Sequence, residues 1–335
     1  MSKFKIAIAG LGRIGKIHLN NLLQIPDITV VAATDPDEDC LSHAKEKGVP
    51  FVTHSFQNML DSTKIDAILI CSPTDTHADY VETAAKMGIH LFCEKPLDLS
   101  VKRVVEVLEV VKANNVKLML GFNRRFDKEF RKVKELVKND AVGQPHLVKI
   151  TSRDPGAPPI GYIETSGGLF LDMTIHDFDM ARFVVDNEIT EVYAKGTVLV
   201  NPEIGAAGDI DTAVVTMTYT DGSMAVIDNS REAAYGYDQR VEVFGSKGMV
   251  QSNNNFHDSH KLYNKTGIHA ALPLHFFLER YQEAYKTEIQ DFVKALYNGS
   301  NMPVNGDDGL KSLKIALAAL KSVQEGRPVK IAEIQ

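Results

Sequence analysis

Three groups of residues in this sequence carry chemistry by type and spacing. The first is Gly10-Leu11-Gly12-Arg13-Ile14-Gly15, which follows the apolar run Lys5–Ala9 and opens a stretch with helical spacing. In such a motif the first glycine permits a tight turn. The second lets the backbone approach a pyrophosphate, and the third lets the helix pack closely on the strand. The helix N-terminus then offers unpaired N–H groups and a partial positive charge to phosphate. Asp35 stands just after the run Thr29–Thr34, twenty positions beyond Gly15. A carboxylate there accepts hydrogen bonds from the ribose of NAD and repels the 2′-phosphate of NADP. Gly10, Gly12, Arg13, Ile14, Gly15 and Asp35 are the expected dinucleotide contacts. Arg13 could also reach a phosphate, which leaves NADP open. The competing reading, a strand–helix turn without a ligand, leaves the preceding strand, the following helix and the placed acid unexplained.

The second group is Glu94-Lys95-Pro96, directly after the run His90–Cys93. That places Lys95 at the carboxyl edge of a sheet, where ligands of open α/β folds bind. A lysine there can donate to a substrate hydroxyl or relay a proton; taken alone, a solvated surface lysine is the favoured reading. The third group is Asp172 and His176, four apart and so on one face of a predicted helix. Imidazole titrates near neutrality and suits proton abstraction from an alcohol, and a neighbouring carboxylate can orient it and support its charge. An ordinary helix salt bridge is the plainer alternative. Asp172, His176, Asp177 and Asp179 could also ligate a metal, but no zinc spacing is evident, and no metal is expected.

The elements that must position these residues divide the chain in two. Runs at Lys5–Ala9, Thr29–Thr34, Ala67–Ser72, His90–Cys93 and Lys117–Leu120 read as buried strands of a parallel sheet. Helical spacing at Ile14–Leu23, Asp37–Lys47, Thr76–Met87 and Val101–Ala113 separates them, with Ser100 as a helix cap. This alternation predicts a doubly wound Rossmann domain over residues 1–122. From 123 to 335 the pattern changes to an α+β domain. Helices are predicted at Phe126–Lys138, Phe170–Val185, Phe276–Tyr297 and Gly306–Glu325. Strands at His146–Ser152, Thr190–Val200, Asp211–Tyr219, Ser223–Ser230, Gln239–Gly245 and Gly248–Ser252 predict a large, open, mostly antiparallel sheet. Apolar residues on alternate positions of such a sheet suit burial between subunits, and so a homo-oligomer.

Bulk properties narrow the partners. The 335 residues suffice for two domains. Thirty-seven basic against 44 acidic side chains give a net charge of −7, which opposes nucleic-acid binding and attraction to an anionic membrane. No apolar run approaches the length of a membrane span, and the opening residues read as a first strand rather than a leader. The three cysteines, Cys40, Cys71 and Cys93, fit no disulfide framework and no zinc pattern, which points to a reducing cytoplasm.

Taken together, the glycine motif, Glu94-Lys95-Pro96 and the Asp172…His176 segment resemble the Gfo/Idh/MocA oxidoreductases over nearly the whole chain. The resemblance implies that Lys95, Asp172 and His176 are the catalytic trio. Cys71-Ser72-Pro73-Thr74-Asp75-Thr76-His77 is similar to a cofactor-contacting loop of that family, which implies contacts from Ser72, Thr74, His77, Glu94 and Lys95. The segments Gly121–Asp127 and Asp228–Arg240, with Val241-Glu242-Val243-Phe244-Gly245 after it, resemble the family's bacterial inositol-oxidising branch. Segment Ser152-Arg153-Asp154-Pro155 departs from an Arg-Asn-Pro form found in some relatives, which puts the part played by Asp154 in question.

The resulting expectation is an NAD-dependent dehydrogenase that oxidises myo-inositol to the 2-keto inositol. A small uncharged polyol needs several fixed polar side chains. Lys95, Arg125, Asp154, Asp172, His176 and Tyr235 are expected to meet it, Arg125 and Tyr235 on the strength of the resemblance. A homotetramer is implied by the same resemblance. The alternatives are oxidation of scyllo-inositol or another sugar, and, in a different class, a non-catalytic NAD-binding sensor, which would not need Lys95, Asp172 and His176 together. A DNA-binding regulator is opposed by the acidic charge.

Overall fold

The computed structural model describes residues 3–335. It divides into two units. The first runs to Asn123 and also takes in Glu283–Lys311; the second comprises Arg124–Gln282 and Ser312–Gln335. The expected cut after residue 122 thus falls beside the main crossing point, but a late segment of the chain returns to the first unit.

The first unit begins with β1 (Phe4–Ala9), α1 (Arg13–Leu22), β2 (Ile28–Thr34), α2 (Glu38–Glu46), β3 (Phe51–Thr53) and α3 (Phe56–Ser62). It continues through β4 (Ala67–Ile70), α4 (Thr74–Lys86), β5 (His90–Glu94), α5 (Val101–Ala113) and β6 (Leu118–Gly121). The six strands are ordered β3-β2-β1-β4-β5-β6, and every pair is parallel. This is the doubly wound order whose direction reverses between β1 and β4, so a crevice opens beyond their carboxyl ends. All four residues of β4 are buried, as a strand covered on both faces requires. With three residues, β3 is too short to show a period in the sequence. Ser100 caps α5 as expected, its Oγ accepting from the Arg103 N–H at 3.4 Å.

The second unit starts with a 3-10 turn at Asn123–Phe126 and α6 (Lys128–Lys138), followed by β7 (Pro145–Arg153). Next come α7 (Ile160–Ser166), α8 (Gly168–Asp172), α9 (Ile175–Val185), β8 (Ile189–Thr197) and α10 (Pro202–Ala206). The remaining strands are β9 (Thr212–Tyr219), β10 (Met224–Ser230), β11 (Asp238–Gly245), β12 (Gly248–Ser252), β13 (Lys261–Asn264) and β14 (Gly267–Ala270). The helices α11 (Phe277–Arg280), α12 (Gln282–Asn298) and α13 (Gly306–Glu325), then β15 (Val329–Lys330), complete the chain. The large sheet has the order β12-β11-β7-β10-β9-β8-β15. It is mostly antiparallel as expected, but β7 and β10 run parallel. Period-two burial is clear in β9, where Ala213, Val215, Met217 and Tyr219 are buried and Val214 is exposed.

Helix α12 belongs to the first unit through its aromatic contacts. Phe292 meets Phe92 edge-on at 5.8 Å between centroids, and Tyr297 meets Phe4 at 4.7 Å. Among the described residues no helix is long and apolar enough to cross a membrane.

Candidate active site

The glycine loop leaves β1 where the sheet order reverses. Gly10 has φ +89°, and a Cβ on it would stand 2.4 Å from the Ser72 backbone nitrogen and 2.6 Å from the Cys71 carbonyl oxygen. Only glycine satisfies both the left-handed backbone and this close pass by the β4 loop. A Cβ on Gly15 would lie 2.0 Å from the Gly10 carbonyl oxygen, so Gly15 seats α1 against the turn. Gly12 differs: a Cβ on it meets nothing within 4 Å, and it caps α1 with no side-chain hydrogen bond. The first-turn N–H groups of a ten-residue helix therefore border open space, and Gly12 and Arg13 are exposed there. This is the cradle a pyrophosphate requires, so the loop fits a dinucleotide.

Asp35 follows β2 and is 8% exposed. Its Oδ2 accepts from the Leu11 N–H at 2.6 Å and its Oδ1 from the Asp37 N–H at 2.9 Å. The carboxylate thus fixes the glycine loop as well as carrying the negative charge expected to select NAD.

On the other side of the switch point, Ser72 Oγ shares a hydrogen bond with Thr76 Oγ1 at 2.6 Å, and Thr74 begins α4. His77, expected as a cofactor contact, has a structural part as well. It is buried, with Nδ1 2.8 Å from the Pro96 carbonyl oxygen and Nε2 2.7 Å from that of Ser72. Both ring nitrogens face backbone oxygens, so the ring ties the Ser72 loop to the Glu94-Lys95-Pro96 loop.

Lys95 follows the last residue of β5 and is half-buried. Its neighbour Glu94 is held by His18 of α1, whose Nε2 lies 2.8 Å from Glu94 Oε1. A Cβ on Gly121 would come within 2.8 Å of the Glu94 carboxylate, so that glycine makes the carboxylate's seat. Glu288 of α12 completes the cluster: ligand atoms of His18, Glu94 and Glu288 lie within 4.8 Å of one another. Both Glu288 oxygens are buried without a hydrogen-bond partner. Burial, then the nearby Glu94, push its carboxyl well above the usual range. His18 and Glu288 escaped sequence reasoning because they read as core-facing positions of two helices far apart in the chain.

In the second unit the predicted helix Phe170–Val185 is broken. Asp172 ends α8 and His176 is the second residue of α9. Thr174 lies between them and is fully buried, its Oγ1 donating to Asn229 Oδ1 at 2.8 Å and to the Leu169 carbonyl at 3.2 Å. The Thr174 N–H also bonds back to Leu169, five residues away, which widens the turn. One continuous helical face is therefore replaced by two short helices pinned to β10.

Asp172 is gripped at both oxygens: Tyr162 Oη donates to Oδ1 at 2.9 Å and Arg231 Nη1 to Oδ2 at 3.1 Å. Arg231 also stands 3.7 Å from Asp154 Oδ2. Burial pushes the Asp154 carboxyl up to about 6. Arg231 and Arg124 pull it down, and Asp172 and Asp177 push it up. Beneath these residues Arg124 pairs with Asp177, and Asn229 Nδ2 donates to the other Asp177 oxygen at 3.0 Å. Neither Tyr162 nor Arg231 was singled out in the sequence. Tyr162 lies between the strand expected at His146–Ser152 and the helix expected at Phe170–Val185, and Arg231 is one residue within the long segment Asp228–Arg240.

Arg125 is buried and bidentate to Asp179, with Nε to Oδ2 at 2.7 Å and Nη2 to Oδ1 at 2.5 Å. Tyr235 donates to Asp238 Oδ2 at 2.6 Å and accepts from Arg153 Nη1 at 2.9 Å. Both expected substrate contacts thus serve at least partly as struts. Asp177 and Asp179, considered earlier as metal ligands, are each engaged by an arginine.

Comparison with known proteins agrees with this architecture. Residues 4–122 match the model of an oxidoreductase family with an NAD-binding Rossmann fold, and residues 130–251 match the GFO/IDH/MocA C-terminal domain. Myo-inositol 2-dehydrogenase of Thermotoga maritima is 48% identical over 98% of this chain and 99% of its own. The crystal structure of a myo-inositol dehydrogenase from Corynebacterium glutamicum superposes with a TM-score of 0.94 at 40% identity, covering 98% of each chain. That of scyllo-inositol dehydrogenase from Lactobacillus casei, with bound NAD(H) and scyllo-inositol, gives 0.93 at 34% identity, covering 98% of this chain and 99% of the other.

Proposed function

The chain belongs to the Gfo/Idh/MocA oxidoreductase family, and from that premise we propose that it oxidises the 2-hydroxyl of myo-inositol to a ketone. NAD, held by Gly10, Gly12, Arg13, Ile14, Gly15, Asp35, Ser72 and Thr74, supplies the hydride acceptor. His176 takes the hydroxyl proton, and Asp172 orients the ring and supports its charge. Lys95 donates a hydrogen bond to the reacting oxygen and relays the proton outward, so that no metal is required. Asp154 accepts from a second hydroxyl, which fixes the ring's orientation.

The observation that carries this reading is the Asp172 carboxylate, gripped from both oxygens and four residues before His176. Inositol is favoured over other polyols by the relatives from Thermotoga maritima and Corynebacterium glutamicum. Scyllo-inositol is the second reading, supported by the Lactobacillus casei protein with that ligand. Replacing His176 with alanine should abolish turnover while leaving NADH binding within about twofold of wild type. A variant that kept wild-type kcat would remove His176 from the proposal.

We further infer a cytoplasmic homotetramer. Cys40, Cys71 and Cys93 are free thiols, consistent with a reducing compartment. Val214, Met224, Phe244 and Met249 leave exposed apolar surface on the large sheet, which a second copy would cover. Light scattering during size exclusion tests the assembly, and a monomeric mass would refute it.

A further inference from the structure

Arg231 is an arginine that the fold holds at high cost. It is 2% exposed, and its Nε and Nη2 are buried without hydrogen-bond partners. A buried guanidinium carries a desolvation penalty of several kcal/mol, offset only by nearby countercharge and good hydrogen bonding. Apart from its backbone N–H, which donates to the Asp211 carbonyl at 2.8 Å, its contacts are carboxylates: Asp172 at 3.1 Å and Asp154 at 3.7 Å.

The charges around it explain the arrangement. Asp154 faces Arg231, Arg124, Asp172, Asp177 and Tyr237. The groups around Asp172 include Arg231, Asp154 and the Tyr162 hydroxyl. The carboxylates of Asp172 and Asp177 favour a proton on Asp154, and the guanidinium groups of Arg231 and Arg124 oppose it. Burial pushes the Asp154 carboxyl up to about 6, so it gains its proton just below neutrality. Arg124 is committed to Asp177, so Arg231 is the cation that Asp172 and Asp154 share.

We propose that Arg231 is a positioning residue that locks Asp172 and Asp154 into one ion-paired unit, favouring the carboxylate form of Asp172 beside His176 and setting where Asp154 gains its proton. The proposal rests on the roles assigned above to Asp172, His176 and Asp154. It ties the activity to pH through a residue outside the Lys95, Asp172 and His176 trio. Loss of the cation raises the proton affinity of both carboxyls, so the acid limb of kcat/KM moves to higher pH. Lysine restores charge without the planar fork, so it restores the limb more fully than the maximal rate.

The test compares wild type, R231Q, R231K and D154N by two readouts: the pH profile of myo-inositol oxidation, and carboxyl titration followed by NMR on protein carrying 13C-labelled aspartate. In R231Q the acid limb and the labelled carboxyl signals should shift up by about one unit or more, a tenfold rise in proton affinity. R231K should return the limb to within about 0.3 unit of wild type, and D154N should remove the titration near 6. Unchanged limb and carboxyl titrations in R231Q would overturn the proposal. So would a limb in R231K displaced as far as in R231Q, or persistence of the titration in D154N. If R231Q does not fold, R231K and D154N decide. The NMR readout requires no turnover, so a failure of the inositol reading, seen as an inactive wild type, is distinguishable from a failure of the Arg231 assignment.

Discussion

Replacing Gly12 with alanine should leave the free protein almost as stable as wild type and weaken its binding of NAD by roughly two orders of magnitude. Among the described residues, apart from its chain neighbours, none comes within 4 Å of a Cβ built there, and the backbone is extended, at φ −64° and ψ −161°, with no left-handed strain. Alanine stiffens the unfolded chain, which stabilises by about 0.4–1 kcal/mol. It is also a poorer helix cap, which costs a comparable amount. The net change is within about 1 kcal/mol, a Tm shift of roughly 2–4 °C at most. The methyl group, however, fills the space a pyrophosphate needs over the first turn of α1. Losing two N–H bonds to a charged oxygen, at about 1.5 kcal/mol each, weakens NAD binding roughly 150-fold. Gly15→Ala is the contrast, because its Cβ would lie 2.0 Å from the Gly10 carbonyl oxygen. That clash is internal, so G15A should lose several degrees of Tm as well as cofactor affinity. Melting curves without cofactor and a fluorescence titration with NADH separate the two effects. A G12A protein that binds NADH as wild type does would refute the placement of the pyrophosphate. A G12A protein as unstable as G15A would refute the steric argument.

Asp154→Asn should raise stability in a pH-dependent way. The folded carboxyl titrates near 6 against an ordinary 3.8, so the native state binds the proton more tightly. The associated stability is fully present below about pH 3.8 and lost as pH rises through 6. The difference of 2.2 units corresponds to about 3 kcal/mol at pH 7.5. D154N should therefore melt above wild type at pH 7.5, and the two should converge near pH 4; parallel Tm curves across that range would contradict the burial argument. His77→Phe keeps a ring but leaves the Ser72 and Pro96 carbonyls without their buried partner. It should cost about 3 kcal/mol and raise KM for NAD more than KM for the polyol, as calorimetry and steady-state kinetics would show. Equal effects on both KM values would argue against a brace behind the cofactor loop.

The parallel sheet was legible because buried strands between amphipathic helices leave a strong pattern, and because Gly10, Gly12, Gly15 and Asp35 make sense only at a strand–helix turn. The three-residue β3 left no such pattern. The break between α8 and α9 was hidden for a different reason. Thr174 is an ordinary helix residue until Asn229, 55 positions later, bonds its hydroxyl. The same distance in sequence concealed the groups that prepare the site. Lys95, Asp172 and His176 could be picked out by type and spacing. Their neighbours His18, Glu288, Tyr162 and Arg231 acquire meaning only when the fold brings them to Glu94 and Asp172. Conversely, His77, Arg125 and Tyr235 looked like ligand contacts because their types suit one. Strut and ligand contact require the same polar side chains, and only the partner atoms distinguish them.

The central claim is that this chain takes the hydride from carbon 2 of an inositol and delivers it to NAD. Purified protein should be given NAD and myo-inositol deuterated at carbon 2, and the mass of the NADH formed should be read. The account predicts NADH heavier by one deuterium, formed more slowly than from unlabelled substrate. Unlabelled NADH, or no NADH from any cyclic polyol, would contradict it.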